Sequence, residues 1–250
     1  DSKYTDYDVA SSGNKTNVIE AVARECKKQG MKLGLYYSLW DRKVNADVDN
    51  VESDREYNTY MLKQLDELMD ITEKYTKIVE FWFDGSWVKP GYRWPVEGIY
   101  RTIKSREPQC QIGMNWTIGE DADPHNPNAP EKSYKIIPEE QKEGDPIRYF
   151  PSDFRLGDPL LPANPDPKVF THNGKRYYMP FESTVCLSKR WFYHTTDKEY
   201  KSIDELVKLY QRATAQDNIL ILNLPPNREG KMRQKDVDLL IELRKHIRKL

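Results

Sequence analysis

Short apolar runs recur directly behind amphipathic helices, and this alternation limits the fold more than any other feature of the chain. Asn17 to Gln29 reads as a helix with Val18, Ala21, Val22 and Ala23 as its apolar positions and Gly30 as its stop. Met31-Lys32-Leu33-Gly34-Leu35-Tyr36-Tyr37-Ser38 follows at once, too short for a second helix and largely apolar, as a buried parallel strand requires. The pattern repeats with helix Glu52 to Lys74 and strand Ile78 to Phe83, then with helix Val96 to Ser105 and strand Gln111 to Trp116. Helix and strand in strict alternation imply right-handed crossovers around a parallel sheet.

Beyond Trp116 the regularity falls away. Residues Thr117 to Lys175 carry most of the 16 prolines and many Asp, Asn and Gly residues, so this stretch reads as one long excursion over an end of the scaffold. Order resumes near Arg176 to Thr184, passes through helix Ile203 to Thr214 and reaches the apolar strand Asn218 to Leu224, which Pro225-Pro226 stops. Helix Gln234 to Lys249 ends the chain with Val237, Leu240, Ile241 and Leu243 on its apolar side.

A length of 250 residues suits one (β/α)8 barrel. Only four or five strands are legible, and a barrel left with open parallel edges exposes unpaired backbone groups. The expectation is therefore an α/β chain of TIM-barrel type, incomplete at its N-terminal side, forming one catalytic region over 1–250 with a Pro-rich active-site loop at 117–175. On this view residues precede Asp1 in the biological protein.

Composition narrows the ligand. The formal net charge is -1, from 39 basic and 40 acidic side chains, which gives no long-range field for nucleic acid. Mean hydropathy is low, at -0.85. Aromatics nonetheless reach 12 %, with 16 Tyr and 6 Trp, a combination that suits clefts where flat rings meet sugar C–H faces. Cys26, Cys110 and Cys186 are odd in number and far apart, so they suggest neither a disulfide framework nor a metal site. No apolar run approaches a membrane span, and the reading includes no membrane insertion.

Chemistry is most concentrated in Phe81-Trp82-Phe83-Asp84-Gly85. Asp84 follows three aromatic residues and precedes a glycine, the position of a reactive group at the C-terminal end of a barrel strand. Trp82, two residues back, points to the same side. For the isolated motif, a strand-end Asp that caps the next helix is the favoured reading.

The wider context resembles one family. Gly34-Leu35-Tyr36-Tyr37-Ser38 followed by Trp40-Asp41, the helix bearing Tyr57, Tyr60, Gln64, Leu65 and Leu68, and the F-D-G run are similar to successive segments of the α-L-fucosidases of glycoside hydrolase family 29. Pro180-Phe181-Glu182, Trp191-Phe192-Tyr193-His194 and Asn218 to Pro226 with Gly230 continue the likeness in order. The resemblance implies a retaining exo-hydrolase of terminal α-linked L-fucose, with no metal or organic cofactor and a fucosylated glycan as partner.

By the same resemblance Asp84 is the nucleophile. The acid/base is divided: Glu182 matches the P-W-E position of one branch and is favoured, while Glu120 lies where another branch carries a G-N-E triplet that this sequence lacks. Tyr36, Tyr37, Trp82 and Trp191 match pocket-lining positions, and strand register decides which of the two tyrosines faces the sugar. His172 and His194 read as structural, and Arg148 and Arg155 as loop arginines that could hold sugar hydroxyls. The family's paired histidines have no counterpart. Family analogy points to a secreted, periplasmic or lysosomal setting. A barrel hydrolase for another sugar and a sugar-binding protein without turnover are the competing readings. Asn14-Lys15-Thr16 and Asn115-Trp116-Thr117 are glycosylation sequons at chance frequency.

Overall fold

The computed structural model describes residues 1–41, 43, 51–89, 92–122 and 127–248. They form two compact units: Asp1–Lys135 with Pro146–Arg155, and Ile136–Asp145 with Leu156–Leu250.

In the first unit, α1 (Val18–Gln29) opens under an Asn17 cap whose side chain accepts from the Glu20 N–H at 3.1 Å. It stops at Gly30, which adopts a left-handed φ of 64°. The chain then enters β1 (Leu33–Ser38), α2 (Val51–Thr72), β2 (Ile78–Asp84), α3 (Val96–Arg106) and β3 (Gln111–Met114). These bounds follow the predicted ones closely, because amphipathic period and helix stops are local properties. The three strands form one parallel sheet in the order β1-β2-β3.

Alternation along β2 divides its side chains between two faces. Phe81 and Phe83 are fully buried and stacked 5.8 Å apart, and they join Leu65, Met61 and Met69 of α2 and Ile99 and Ile103 of α3 in a single core. Trp82 and Asp84 lie on the opposite face. On β1 the same division places Leu33, Leu35 and Tyr37 toward the helices and leaves Gly34, Tyr36 and Ser38 more exposed.

In the second unit, β8 (Glu182–Cys186) pairs in parallel with β9 (Ile219–Asn223), joined by α4 (Ile203–Thr214) and followed by α5 (Gln234–Ile247). A Ser202–Glu205 capping box starts α4. Leu187, Leu206 and Leu243 form the centre of this unit's apolar core. A polar network fixes where β8 and β9 begin. Asn218 accepts from the Phe181 N–H at 2.8 Å and donates to Asp166 at 2.9 Å, and Lys168 bonds both Asp166 and Asn218. Buried polar groups satisfied in this way specify one strand register.

Five parallel strands thus occur in two separate sheets, and the described residues do not close a barrel. The Pro-rich stretch is more ordered than its composition predicts. It contains two small antiparallel pairs, β4 (Gly119–Glu120) with β5 (Tyr134–Lys135) and β6 (Val169–His172) with β7 (Lys175–Tyr178). Strands of two to four residues carry too little alternation to be seen in sequence. The expected run Arg176 to Thr184 is two strands, β7 and β8, separated at Met179-Pro180-Phe181. No helix among the described residues is long and apolar enough to cross a membrane.

Leu65 is fully buried between α2 and the sheet. Leu65→Ala is expected to remove about 2–5 kcal/mol of stability, read as a lower urea midpoint at unchanged slope. Burial pushes the Cys110 thiol up to about 12, and Cys186 is also raised, chiefly by burial. A thiol so placed is almost wholly protonated at pH 8 and does not attack disulfides. A thiol-titrating disulfide reagent at that pH should therefore spare Cys110 in the folded protein and modify it after guanidinium denaturation; rapid labelling of native Cys110 would contradict the packing.

Candidate active site

The register of the parallel sheet assembles the site. Tyr36 pairs with Trp82 and Ser38 with Asp84, so β1 and β2 end together, and the Asn115 N–H donates to the Phe83 carbonyl at 2.8 Å just past the end of β3. Asp84 stands at the C-terminal end of the central strand, partly exposed. Each carboxylate oxygen accepts a bond from a different neighbouring strand: the Tyr36 hydroxyl donates to Oδ2 at 2.7 Å and the Asn115 amide to Oδ1 at 3.0 Å. Two donors from two sides fix the plane of the carboxylate while leaving further lone pairs open.

The turn behind Asp84 is equally constrained. Gly85 has φ 86°, and a Cβ there would lie 3.2 Å from the Ser38 hydroxyl and 3.5 Å from the Trp40 backbone nitrogen. A glycine admits both the left-handed backbone and the close approach. The Leu39 N–H donates to the Asp84 carbonyl at 2.7 Å, which ties the exits of β1 and β2 to each other.

Tyr36 stacks on Trp82 with ring centroids 5.5 Å apart and planes inclined by 24°. This pair and Asp84 share one face. Tyr37 is not brought to it. Its hydroxyl donates to Gln64 Oε1 on α2 at 2.8 Å, and burial raises its pKa above the usual phenolic range. From Tyr37 a chain of bonds runs through Gln64 and Tyr60 to Asp41 Oδ2, at 2.8 Å and 3.0 Å. The segment that follows β1 is thus tied to α2.

Asn115 was not among the residues that motif reasoning singled out, apart from its sequon. It is buried, and its amide is committed to Asp84, so it offers no surface for a glycan. Recognising it required the offset of β3 against β2, which no short motif contains.

Glu120 lies in the same unit, half-buried on β4 and opposite Tyr134 of β5. Gly119 makes this possible. Its φ is 135°, and a Cβ would lie 2.2 Å from the Tyr134 carbonyl oxygen. The segment is held by the Gly119 N–H to the Pro146 carbonyl at 3.0 Å and by the Arg148 N–H to the Thr117 carbonyl at 2.8 Å. The Arg148 side chain pairs with Asp121 at 2.7 Å. Trp116, between Asn115 and this hairpin, adopts φ 62°, and the Lys135 ammonium sits 3.5 Å from its ring centroid. Burial, and secondarily the Arg148 charge, lower the Lys135 pKa from the ordinary lysine value.

Glu182 belongs to the second unit, where it is buried at the N-terminal start of β8. Trp191 lies at the other end of that strand pair: its carbonyl accepts from the Asn223 side chain at 2.9 Å, at the close of β9. Five strand residues separate the two ends by about 13 Å. Arg155 is fully buried, His172 ends β6, and His194 receives a Thr196 hydroxyl contact at 2.8 Å. No group of three or more His, Cys, Asp or Glu side chains arranged to hold a metal occurs among the described residues.

Comparison with known proteins bears on the family of the chain. The sequence profile of the α-L-fucosidase family matches residues 1–249. Alpha-L-fucosidase 1 of Arabidopsis thaliana is 27 % identical over 96 % of this chain and 44 % of its own length. A rice protein named putative alpha-L-fucosidase 1 is 26 % identical over 96 % and 43 %. The chain therefore spans less than half of the curated relatives it matches.

Among solved structures, α-L-fucosidase isoenzyme 1 of Paenibacillus thiaminolyticus superposes with a TM-score of 0.71 at 24 % identity, covering 99 % of this chain and 56 % of that one. A Ruminococcus gnavus fucosidase in complex with fucose gives 0.66 at 20 %, over 99 % and 52 %. These likenesses speak to the fold. With a family profile that runs over almost every residue, the chain belongs to the α-L-fucosidase family.

Proposed function

We propose that this chain supplies the catalytic carboxylates of a retaining exo-glycosidase that releases terminal α-L-fucose from glycans. Its two blocks of parallel strands are read as segments of a (β/α)8 barrel, with chemistry at the C-terminal ends of the strands. The observation that carries the reading is Asp84: a carboxylate at that end of the central strand, oriented by Tyr36 and Asn115 and flanked by the Tyr36–Trp82 aromatic pair.

In a double displacement, one carboxylate attacks the anomeric carbon while a second, about 5 Å away, protonates the departing oxygen and then deprotonates the incoming water. Asp84 is the nucleophile in this scheme. The donors on Oδ1 and Oδ2 hold it in one orientation, and a preset orientation is what makes attack effectively intramolecular. The Tyr36–Trp82 surface offers the sugar ring a flat apolar wall.

Glu120 takes the acid/base role here, rather than Glu182, which the motif comparison favours. Three observations support the choice. Glu120 is half-buried with access to solvent, it lies five residues beyond the Asn115 that bonds Asp84, and its hairpin is held rigidly by Gly119 and by segment 146–148. Glu182 is buried at the N-terminal end of its strand, the end opposite Trp191. It is read as a structural carboxylate at the start of β8.

Asp84→Gly is expected to lower kcat by on the order of a thousandfold or more. Added azide should restore turnover with formation of β-fucosyl azide, the inverted product, seen by proton NMR. A variant with near-normal activity would remove Asp84 from the mechanism. Leaving-group dependence separates the two glutamates. Glu120→Ala should slow hydrolysis of a fucoside with a basic sugar leaving group by roughly 10²–10⁴, spare bond cleavage with an activated aryl leaving group, and yield α-fucosyl azide with azide. If Glu182→Ala shows this pattern and Glu120→Ala does not, the assignment reverses.

A further inference from the structure

The turn that leaves Asp84 carries an exposed tryptophan with no role in the scheme above. After Gly85 the chain makes a single 3-10 turn, Ser86–Val88, closed by the Val88 N–H donating to the Gly85 carbonyl at 3.2 Å. Both flanks of that turn are clamped. Ser86 is buried and shares a side-chain hydrogen bond with Tyr149, itself buried in the core. Lys89 is buried on the other side, its ammonium 5.0 Å from the Tyr57 ring centroid and 5.5 Å from that of Tyr92. Between these anchors Trp87 is left 52 % exposed.

A scattered surface hydrophobe needs no explanation. Here, however, the largest side chain in the protein is presented from a rigid turn three residues beyond the proposed nucleophile, while the small and the charged residues of the same turn are the ones turned inward. An indole carried on a backbone anchored at both flanks binds a flat apolar surface without the cost of ordering that backbone. Two aromatic surfaces therefore leave the exit of β2. The Tyr36–Trp82 pair lies two residues before Asp84 on the same face of the strand, and Trp87 lies three residues beyond it along the chain.

We infer that Trp87 forms a leaving-group subsite: a stacking platform for the pyranose ring to which the terminal fucose is linked. The chemical class of ligand is a neutral hexopyranose whose C–H face packs on the indole. The inference rests on the retaining fucosidase reading and goes beyond it, because that reading needs only the fucose ring and the bond to be cleaved. It assigns a residue that favours saccharide leaving groups over small ones.

The test compares two substrates that share fucose and differ in what departs. Fucosyl fluoride has no ring beyond the fucose, and a fucosyl disaccharide carries one. For the full protein, Trp87→Ala should lower the ratio of kcat/KM for the disaccharide to that for the fluoride by roughly three- to tenfold, Trp87→Phe should keep most of it, and Trp87→Leu should resemble the alanine variant. If the alanine variant does not fold, the Phe and Leu variants decide alone, since they differ in flatness more than in bulk. An unchanged ratio in the variants, or an equal fall for both substrates, overturns the subsite. A parent protein that hydrolyses neither substrate instead defeats the fucosidase reading itself, so the two failures are distinguishable.

Discussion

Everything at the candidate site depends on the parallel register of three strands. Because parallel neighbours run the same way, β1, β2 and β3 must all release their chains at one end of the sheet, and the helices between them are what make that possible. The pairing of Tyr36 with Trp82 and of Ser38 with Asp84, with Asn115 just beyond Met114, then brings the Tyr36 hydroxyl and the Asn115 amide each within bonding distance of the Asp84 carboxylate. A slip of one residue in β2 would exchange Asp84 with Phe83 and turn the carboxylate into the core. The apolar packing of Phe81 and Phe83 against α2 and α3 prevents that slip. Burial on one face of the strand thus positions chemistry on the other.

Much of this scaffold was legible in the sequence, and the reason is locality. The helices show their period and their stops, and the strands are apolar runs trapped between them. Asp84 stood out for the same reason, as the polar residue that ends such a run before a glycine, but a catalytic rather than a capping role for it came only from the likeness of the wider chain to the family. The partners of Asp84 were less so. Tyr36 and Tyr37 are adjacent and chemically identical, and only the backbone register decides that one bonds the carboxylate while the other bonds Gln64 inside the helix layer. Asn115 depends on how two strands more than 30 residues apart are offset, a property no local motif encodes. The hairpins within 117–175 were hidden because Pro, Gly and Asp dominate the composition there and each pair spans two to four residues.

The second unit shows a different strategy. Its short parallel pair is fixed by polar bonds at its start, Asn218 with Asp166, Lys168 and the Phe181 N–H, and by the Asn223 side chain at its close. Such networks impose a unique register at the cost of desolvating their members. Glu182 sits at the start of that pair and Trp191 at its close, which gives the two matched family motifs different physical settings. Similarity of sequence pattern places both residues in the family; burial and strand direction separate what each can do.

The central claim is that Asp84 forms the covalent bond to the sugar. A 2-deoxy-2-fluoro-fucosyl fluoride slows the second step more than the first and so accumulates the glycosyl-enzyme. Peptide mass spectrometry of the inactivated protein should then show one fluorofucosyl group, attached to the peptide containing Asp84 and localised to that residue by fragmentation. A label on Glu120, Glu182 or any other carboxylate would contradict the account, as would time-dependent inactivation that leaves the Asp84 peptide unmodified.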